Sequence, residues 1–540
     1  MMDTKGTVSP AQVEHLISQG HIIVIYEGMA LKLDKWLDKH PGGGLAILHM
    51  VGRDAGDEIK AYHTDQTLKT MKAFSIGPVD LPWVNMIPPV QADVPALPSQ
   101  KGDNKCSGSE KQGEKPSASG PCKLTSNGRK SASPSPGAIE EQLTKEAFTA
   151  AMEERERQDD IRNIPSMDME QQALLREKYQ ALHQRVKDEG LYDCPYIEYG
   201  KECARYASLF GMFLYLVSIG WYLTSALFLG GFWQQIMFSA HDAGHRGITG
   251  SVAKDTIIGT FIADFCCGLS FGWWKSSHNV HHLITNMPEH DPDTQYLPLF
   301  AWSPTFFRGV RSTYYDFDFV WDKVCEIAVP LQKYTYYPIM AVARFNLYFL
   351  SWGHVILGSA KKASGAPRWA RQLEVVGMAV YWFLFGYMLV WRTLPDWPTR
   401  IAFVLLSHAV TMLIHVQITL SHWGMSTADL GPTESFVSRQ LRTTMDVDCP
   451  PWLDFLHGGL QFQAVHHLFP RVPRHNLRKG QVLLREFCED TGLEYHCYGF
   501  AKGNGIILSR LEEVGKMVET LVKCQSHLVQ EYTEGAPILH

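Results

Sequence analysis

Three short histidine clusters stand out among the 23 histidines of this 540-residue chain. HDAGH sets His241 and His245 four residues apart. HNVHH sets His278, His281 and His282 at i, i+3 and i+4, and QAVHH repeats that spacing with Gln463, His466 and His467. On a helix these offsets put every imidazole of a cluster on one face. Neutral imidazole is a good ligand for iron, and several such faces can surround two metal ions. Zinc competes for the same nitrogens, but a zinc site takes three or four ligands, and seven histidines exceed that. A lone HxxxH means little, because core histidines are common; three clusters, each beside an apolar segment, mean much more. Gln463 breaks the all-histidine pattern. Its amide both donates and accepts, so it either binds a metal through oxygen or orients a metal-bound water.

A further pair lies near the N-terminus. His40 sits in KHPGGG and His63 follows 23 residues later in AYHTDQT. Haem iron that only transfers electrons takes two strong axial ligands, and two imidazoles leave no room for oxygen. Pro41 and the glycines give a tight turn that lets backbone approach a porphyrin. Trp36, Leu45, Ile47, Ile59, Phe74 and Ile76 could line the crevice, and Asp54, Asp57, Glu58 and Asp65 could give it a negative rim. HPGG alone is equally a surface turn. The remaining histidines, among them His15, His49, His183, His408, His496 and His527, read as structural.

The segments between these motifs differ sharply in composition. Overall 45% of residues are hydrophobic and 20% charged, with a net charge of −6. The mean hydropathy of −0.14 averages a polar half with an apolar half. No concentrated basic face is indicated, so nucleic acid is not an expected partner. The 11 cysteines form no CxxC pair and no framework spacing, as for reduced thiols in a cytosol. MMDTKGTVSP has no apolar run of a secretory signal. A length of 540 residues predicts at least two folded units. The first is a compact stretch from about Val8 to Val79. Between Leu97 and Ile139 the only large aliphatic residue is Leu124 and no aromatic occurs; such a segment cannot offset its ordering entropy and is expected to be a flexible tether. Residues 139–190 are charged, with apolar positions at Leu174, Leu175, Tyr179, Leu182 and Val186, which predicts surface helices ending at Gly190.

From Tyr206 the chain takes on membrane character. A bilayer core needs about 20 apolar residues per helix. Leu373–Trp391 and Ile401–Leu420 meet this, joined by RTLPDWPTR. Lys361, Lys362, Arg368 and Arg371 precede the first, which makes that flank cytosolic. Ala207–Ala240 is 34 residues, about 51 Å and too long as one helix, while as a hairpin each arm is short, at about 17 residues. Ala253–Trp274 carries Asp255 and Asp264, and Tyr334–Leu357 carries Pro338, Arg344, Asn346 and His354. Charge at bilayer depth is costly, so these two are expected to lie in the interface.

WLDKHPGG, GRDAGDEI, the second histidine and FSIGPV together resemble cytochrome b5 over about 70 residues, which implies a noncovalent b-type haem held by His40 and His63. No CxxCH is present to attach one covalently. The three boxes, with GWWKSSHNVHHLITNMPEHDPD and HHLFPRVPRHNL, resemble the membrane fatty-acyl and sphingolipid desaturases, specifically the front-end group with a fused cytochrome b5 domain and Gln in the third box. The likeness covers about residues 8–79 and 190–500, and its texture is most similar to fungal sphingolipid Δ8-desaturases.

That resemblance implies a two-part fold: a small α+β haem domain, then an all-α multi-pass membrane domain with four transmembrane helices and interfacial helices. It divides the chain into a haem domain (8–79), a disordered linker (80–138), a cytosolic helical segment (139–205), a membrane diiron desaturase domain (206–500) and a cytosolic C-terminal tail (501–540). It implies a diiron centre held by His241, His245, His278, His281, His282, His466 and His467. His422 in LSHW is a further family histidine, Gln463 occupies a box position, and Asp291 and Asp293 are either acceptors for imidazole N–H groups or a polar turn. Haem domain and boxes share the cytosolic side of an endoplasmic reticulum membrane. The chain therefore crosses an even number of times before HDAGH and not between the first two boxes, which gives four spans. The implied reaction is oxygen-dependent desaturation of a ceramide or sphingoid base, with electrons from an NADH-cytochrome b5 reductase passing through the haem. Rival readings are a Δ5 or Δ6 acyl-lipid desaturase, a diiron lipid hydroxylase and a haem-only membrane electron carrier; the boxes weigh strongly against the last.

Overall fold

The computed structural model describes residues 6–92, 136–357 and 368–534. Most of the expected linker, residues 93–135, and the basic flank at residues 361–367 lie outside the described residues.

Residues 6–92 build around a three-stranded antiparallel sheet in the order β1 (Ile23–Tyr26), β2 (Met29–Lys32), β3 (Ser75–Pro78). Alternation along β1 explains why HIIVIY is apolar throughout. Ile23 and Ile25 face a core with Val13, Ala30, Val79 and Trp83. Val24 and Tyr26 face a second core with Leu31, Ile47, Met50 and Ala55. Between β2 and β3 the chain forms the short helices Gly44–Leu48, Gly56–Tyr62 and Asp65–Met71, and these wall the second core.

The helix Met169–Asp188 starts where Asp168 accepts from the Gln171 amide at 2.9 Å, a side-chain N-cap. Its stripe Leu175, Tyr179, Leu182 and Val186 buries against Val465, Leu468, Phe469 and Leu484 of the catalytic half. Leu174, counted in that stripe from sequence, is 45% exposed. One residue before Leu175, it points off the buried face of the helix.

The apolar stretch before HDAGH is a hairpin: helices Tyr196–Ser218 and Tyr222–Gly244 reverse at Gly220. A second pair, Trp369–Thr393 and Trp397–Leu420, is long and apolar enough to cross a membrane. Val252–Cys266 and Phe271–Leu283 bend by 117° across a short break. Among the described residues two helices therefore meet the spanning requirement, or three if the bent pair is one span, against the four expected. The first hairpin falls short because Lys201, Glu202, Arg205, Gln234, Gln235 and His241 dilute its apolar runs. Tyr334–Leu357 belongs to a single helix, Lys323–Leu357, with Pro330 and Pro338 inside. Arg344 is buried, lies 4.4 Å from the Trp233 ring and donates to the Cys267 carbonyl at 2.7 Å. Within the expected C-terminal tail, the helix Phe500–Glu534 buries Ile507, Leu511, Val514, Val518 and Leu521.

Candidate haem pocket and metal centre

His40 follows a single turn of 3-10 helix at Leu37–Lys39, and His63 caps the end of Gly56–Tyr62. Their rings face each other with centroids 5.9 Å apart. Each Nδ1 lies 2.9 Å from a backbone carbonyl, His40 from Gly43 and His63 from Ile59. A carbonyl only accepts, so each Nδ1 carries the proton and each Nε2 keeps its lone pair. Enclosure by the walls, the largest cause, lowers both imidazoles, His63 to about 3, and so holds them neutral. A cavity of about 470 Å³ lies between them, lined by Val24, Leu31, Leu33, Ile47, Met50 and Phe74. Gly42 is required there, because a Cβ would stand 2.8 Å from His40 Cε1.

The three boxes converge although they are up to 226 residues apart in sequence. Nitrogens of His241, His245, His278 and His466 all lie within 4.8 Å of one another, and so do those of His281, His422 and His467. His282 joins the two groups. Its Nε2 is 3.0 Å from His278 Nε2, and its ring stacks on His467 at 4.1 Å. Gln463 opens the short helix Gln463–Leu468 and is buried. The eight histidines singled out from sequence thus form one assembly, with Gln463 on the helix beside it.

The supporting residues fix this geometry locally. Ser270 caps the box-two helix by accepting from the Trp273 amide at 3.0 Å. Gly244 lets Trp274 pack against box one; a Cβ there would meet that indole at 2.2 Å. Arg474 is buried and donates to Asp242 of the first box and to Glu202, which pins the first helix hairpin to the segment following the third box.

Hydrogen bonds also set the imidazole orientations. His281 Nδ1 donates to Asp291 at 2.8 Å, and Asp291 also accepts from the amides of Asn286 and Asp293 at 2.8 and 2.9 Å. His467 Nδ1 donates to Gln440 Oε1 at 2.8 Å, while the Gln440 amide donates to the His282 carbonyl at 2.8 Å. The His422 Nδ1 faces the Thr443 carbonyl at 3.2 Å. Asp293 sits 3.9 Å from His281 Nδ1. Asp291 and Asp293 are therefore imidazole neighbours as well as a turn. Sequence reasoning missed Gln440 and Arg474. Gln440 lies in SRQLRT, where no spacing marks it.

These residues suit a metal. His245 Nε2, His282 Nδ1, His466 Nε2 and His467 Nε2 are buried with no hydrogen-bond partner. An unpaired buried polar atom costs about 1–3 kcal/mol, so four in one cluster are better accounted for by a shared metal than by packing alone. Of the histidines read as structural, His183 bonds Tyr192 at 2.8 Å and His408 bonds the Val404 carbonyl at 2.7 Å, both away from the cage.

The pocket and the cage touch. His245 belongs to the cage and also lines the cavity between His40 and His63. Tyr62, next to His63, lies 6.1 Å from the His282 ring. Asn279 of the second box donates to the Gly42 carbonyl at 3.2 Å, and Arg471 donates to the His63 carbonyl at 2.8 Å. The acidic rim meets cations of the Met169–Asp188 helix: Arg176 pairs with Asp54 at 2.7 Å and Asp57 at 3.3 Å, and Lys187 pairs with Asp65 at 2.8 Å.

A histidine-walled crevice packed on a polyhistidine cage, in a chain with membrane-length helices, is the arrangement of a fused membrane oxidoreductase. Comparison with known proteins identifies the class. Residues 219–499 match the family described as fatty acid desaturase, and residues 9–80 match the cytochrome b5-like heme/steroid binding domain. The chain belongs to the fatty acid desaturase family, with a cytochrome b5-like domain fused ahead of it. It is an oxidoreductase associated with membranes, with haem implied by one domain and iron by the other. Similar full-length proteins come from Komagataella phaffii (47% identical over 98% of this chain and 97% of that one), Emericella nidulans (45%, 97% and 97%) and Kluyveromyces lactis (44%, 98% and 96%). Each of the three is named Delta 8-(E)-sphingolipid desaturase.

Proposed function

We propose that this chain introduces a Δ8 (E) double bond into the long-chain base of a sphingolipid, with electrons entering through its fused haem domain. The observation that carries the substrate is near-complete coverage at 44–47% identity by proteins of that name. For the chemistry, the support is the pair of histidine groups linked by His282. We assign His241, His245, His278 and His466 to one iron, His281, His422 and His467 to the other, and His282 between them. The bis-imidazole haem is assigned to His40 and His63.

Bound iron supplies the oxygen-dependent removal of two hydrogens from an unactivated chain, which no side chain can perform. The protein's own work is orientation. Asp291 and Gln440 each hold a proton on an imidazole Nδ1, which turns the opposite nitrogen inward and raises its basicity. Burial of the cage keeps water from the site. A haem held by His40 and His63 would supply the two electrons one at a time, and His245, which lines that cavity, would place it beside the cage.

By the same reading the natural reductant is an NADH-cytochrome b5 reductase, and the membrane is that of the endoplasmic reticulum, with both sites on its cytosolic face. The domain limits are those expected above (8–79, 80–138, 139–205, 206–500 and 501–540), with four spans once the first hairpin is included. The test is long-chain-base and acyl-chain analysis of cells lacking endogenous Δ8 unsaturation that express the chain, with His466→Ala as control. A new Δ8 (E) long-chain base is expected. Unsaturation confined to acyl chains would replace the substrate assignment with an acyl-lipid one, and a hydroxylated product would replace the reaction.

A further inference from the structure

The cavity between His40 and His63 is not closed by residues 6–92 alone. Its remaining wall includes Arg246, Lys275, Asn279 and Arg471 from the membrane half. Three of these are cations, with Arg246 close enough to repel both Arg471 and Lys275, in a largely apolar crevice. Among the described residues none of the three forms an ion pair. Asp255 acts on Arg246 and Lys275, but its oxygens are engaged by the Thr249 amide and hydroxyl at 3.1 and 2.9 Å. Glu58, the acid lining the same cavity, faces Arg53. Arg471 Nε is buried without a partner. Arg246 holds a left-handed backbone, φ 61°, which non-glycine residues seldom adopt without a local reason. Like charges gathered around a cavity and left unpaired call for an anion, and the occupant proposed for this cavity carries two carboxylates on one edge.

We propose that Lys275, with Arg246 and Arg471, binds the carboxylate groups of the haem, so that the haem site is completed by the desaturase half. This rests on reading the cavity as the haem site. It makes haem retention depend on docking of the two halves and turns the carboxylate edge of the porphyrin toward the box-one and box-two helices.

Arg246 and Arg471 also donate to the carbonyls of Tyr62 and His63, so removing either disturbs the His63 segment directly. Lys275 is the cleaner probe. The experiment compares the full-length protein, Lys275→Met and Lys275→Arg for the rate of haem transfer to apomyoglobin, loaded with haem or with haem dimethyl ester, whose carboxylates are capped. Lys275→Met is expected to release natural haem about tenfold faster, the scale of one lost charged hydrogen bond. Lys275→Arg should stay near wild type, and the ester should leave wild type and Lys275→Met alike. Unchanged release of natural haem, or equal acceleration with both haems, overturns the contact. If the contact fails in this way while Lys275→Met retains a low-spin spectrum, the pocket assignment still stands. A wild-type chain that takes up neither haem would sink the pocket reading and the contact with it.

Discussion

The haem pocket and the histidine cage present imidazole lone pairs in the same way but draw their orienting partners from opposite ranges of the sequence. His40 and His63 are set by carbonyls three and four residues away, Gly43 and Ile59. In the cage, His281 depends on Asp291 and His467 depends on Gln440, 27 residues away, and the two groups are assembled from helices far apart in the chain. The pocket is thus nearly self-oriented and needs the other half only at its mouth, whereas the cage exists only when the whole membrane half has folded.

The largest expected effects separate the two sites. His466→Ala should lose both product and cage iron while keeping the low-spin haem spectrum. His63→Ala should lose that spectrum and keep the cage iron. Iron content, optical spectra and product yield on the same preparations make the comparison, and loss of both signals in either variant would show that the sites fold as one unit.

Next in size is an orienting residue. Gln440→Leu leaves every imidazole in place but removes the acceptor for His467 Nδ1 and the donor to the His282 carbonyl. A cost of about 10–100-fold in iron affinity or turnover is expected. The pocket offers no equivalent side-chain target, because its orienting partners are backbone. Wild-type iron affinity and turnover in Gln440→Leu would remove that distinction.

Gln463 sharpens the same contrast from within a box. Gln463→Ala should impair desaturation strongly, and Gln463→His should retain part of it, since imidazole can still coordinate iron. Product normalised to iron content reads this, and unimpaired Gln463→Ala would place the residue outside the active site.

This difference in range also decides what could be read from sequence. The box histidines were legible because i, i+3 and i+4 spacing is a local helical property, and the haem pair because its turn and flanks are local too. Leu175, Tyr179, Leu182 and Val186 were legible as one buried face for the same reason. Gln440 and Arg474 were not, since their roles arise from tertiary contacts across more than 150 residues, to His282 and Glu202, that leave no periodicity. Arg344 was legible as a charge in an apolar stretch, but the aromatic rings and the carbonyl that receive it inside the bundle were not. The acidic rim was legible as charge, while its partners Arg176 and Lys187 were hidden in an ordinary amphipathic helix.

The smallest effect concerns the self-oriented pocket and its dependence on pH. Burial pushes the Glu58 carboxyl up from 4.5 to about 7, only partly opposed by Arg53. Between those values the folded protein keeps a proton that the unfolded chain releases. The unfolded state then binds fewer protons, so this group makes stability fall as pH rises from 4.5 to about 7 and contributes no further slope above. Glu58→Gln holds the neutral form at every pH and should flatten that part of the profile. The slope is the readout, because Arg53 loses a neighbouring carboxyl and absolute stability can move either way. The measurement is the temperature at which the haem absorbance collapses, followed across this pH range in full-length wild type and variant. An unchanged slope would show that Glu58 is not the group whose proton the pocket retains.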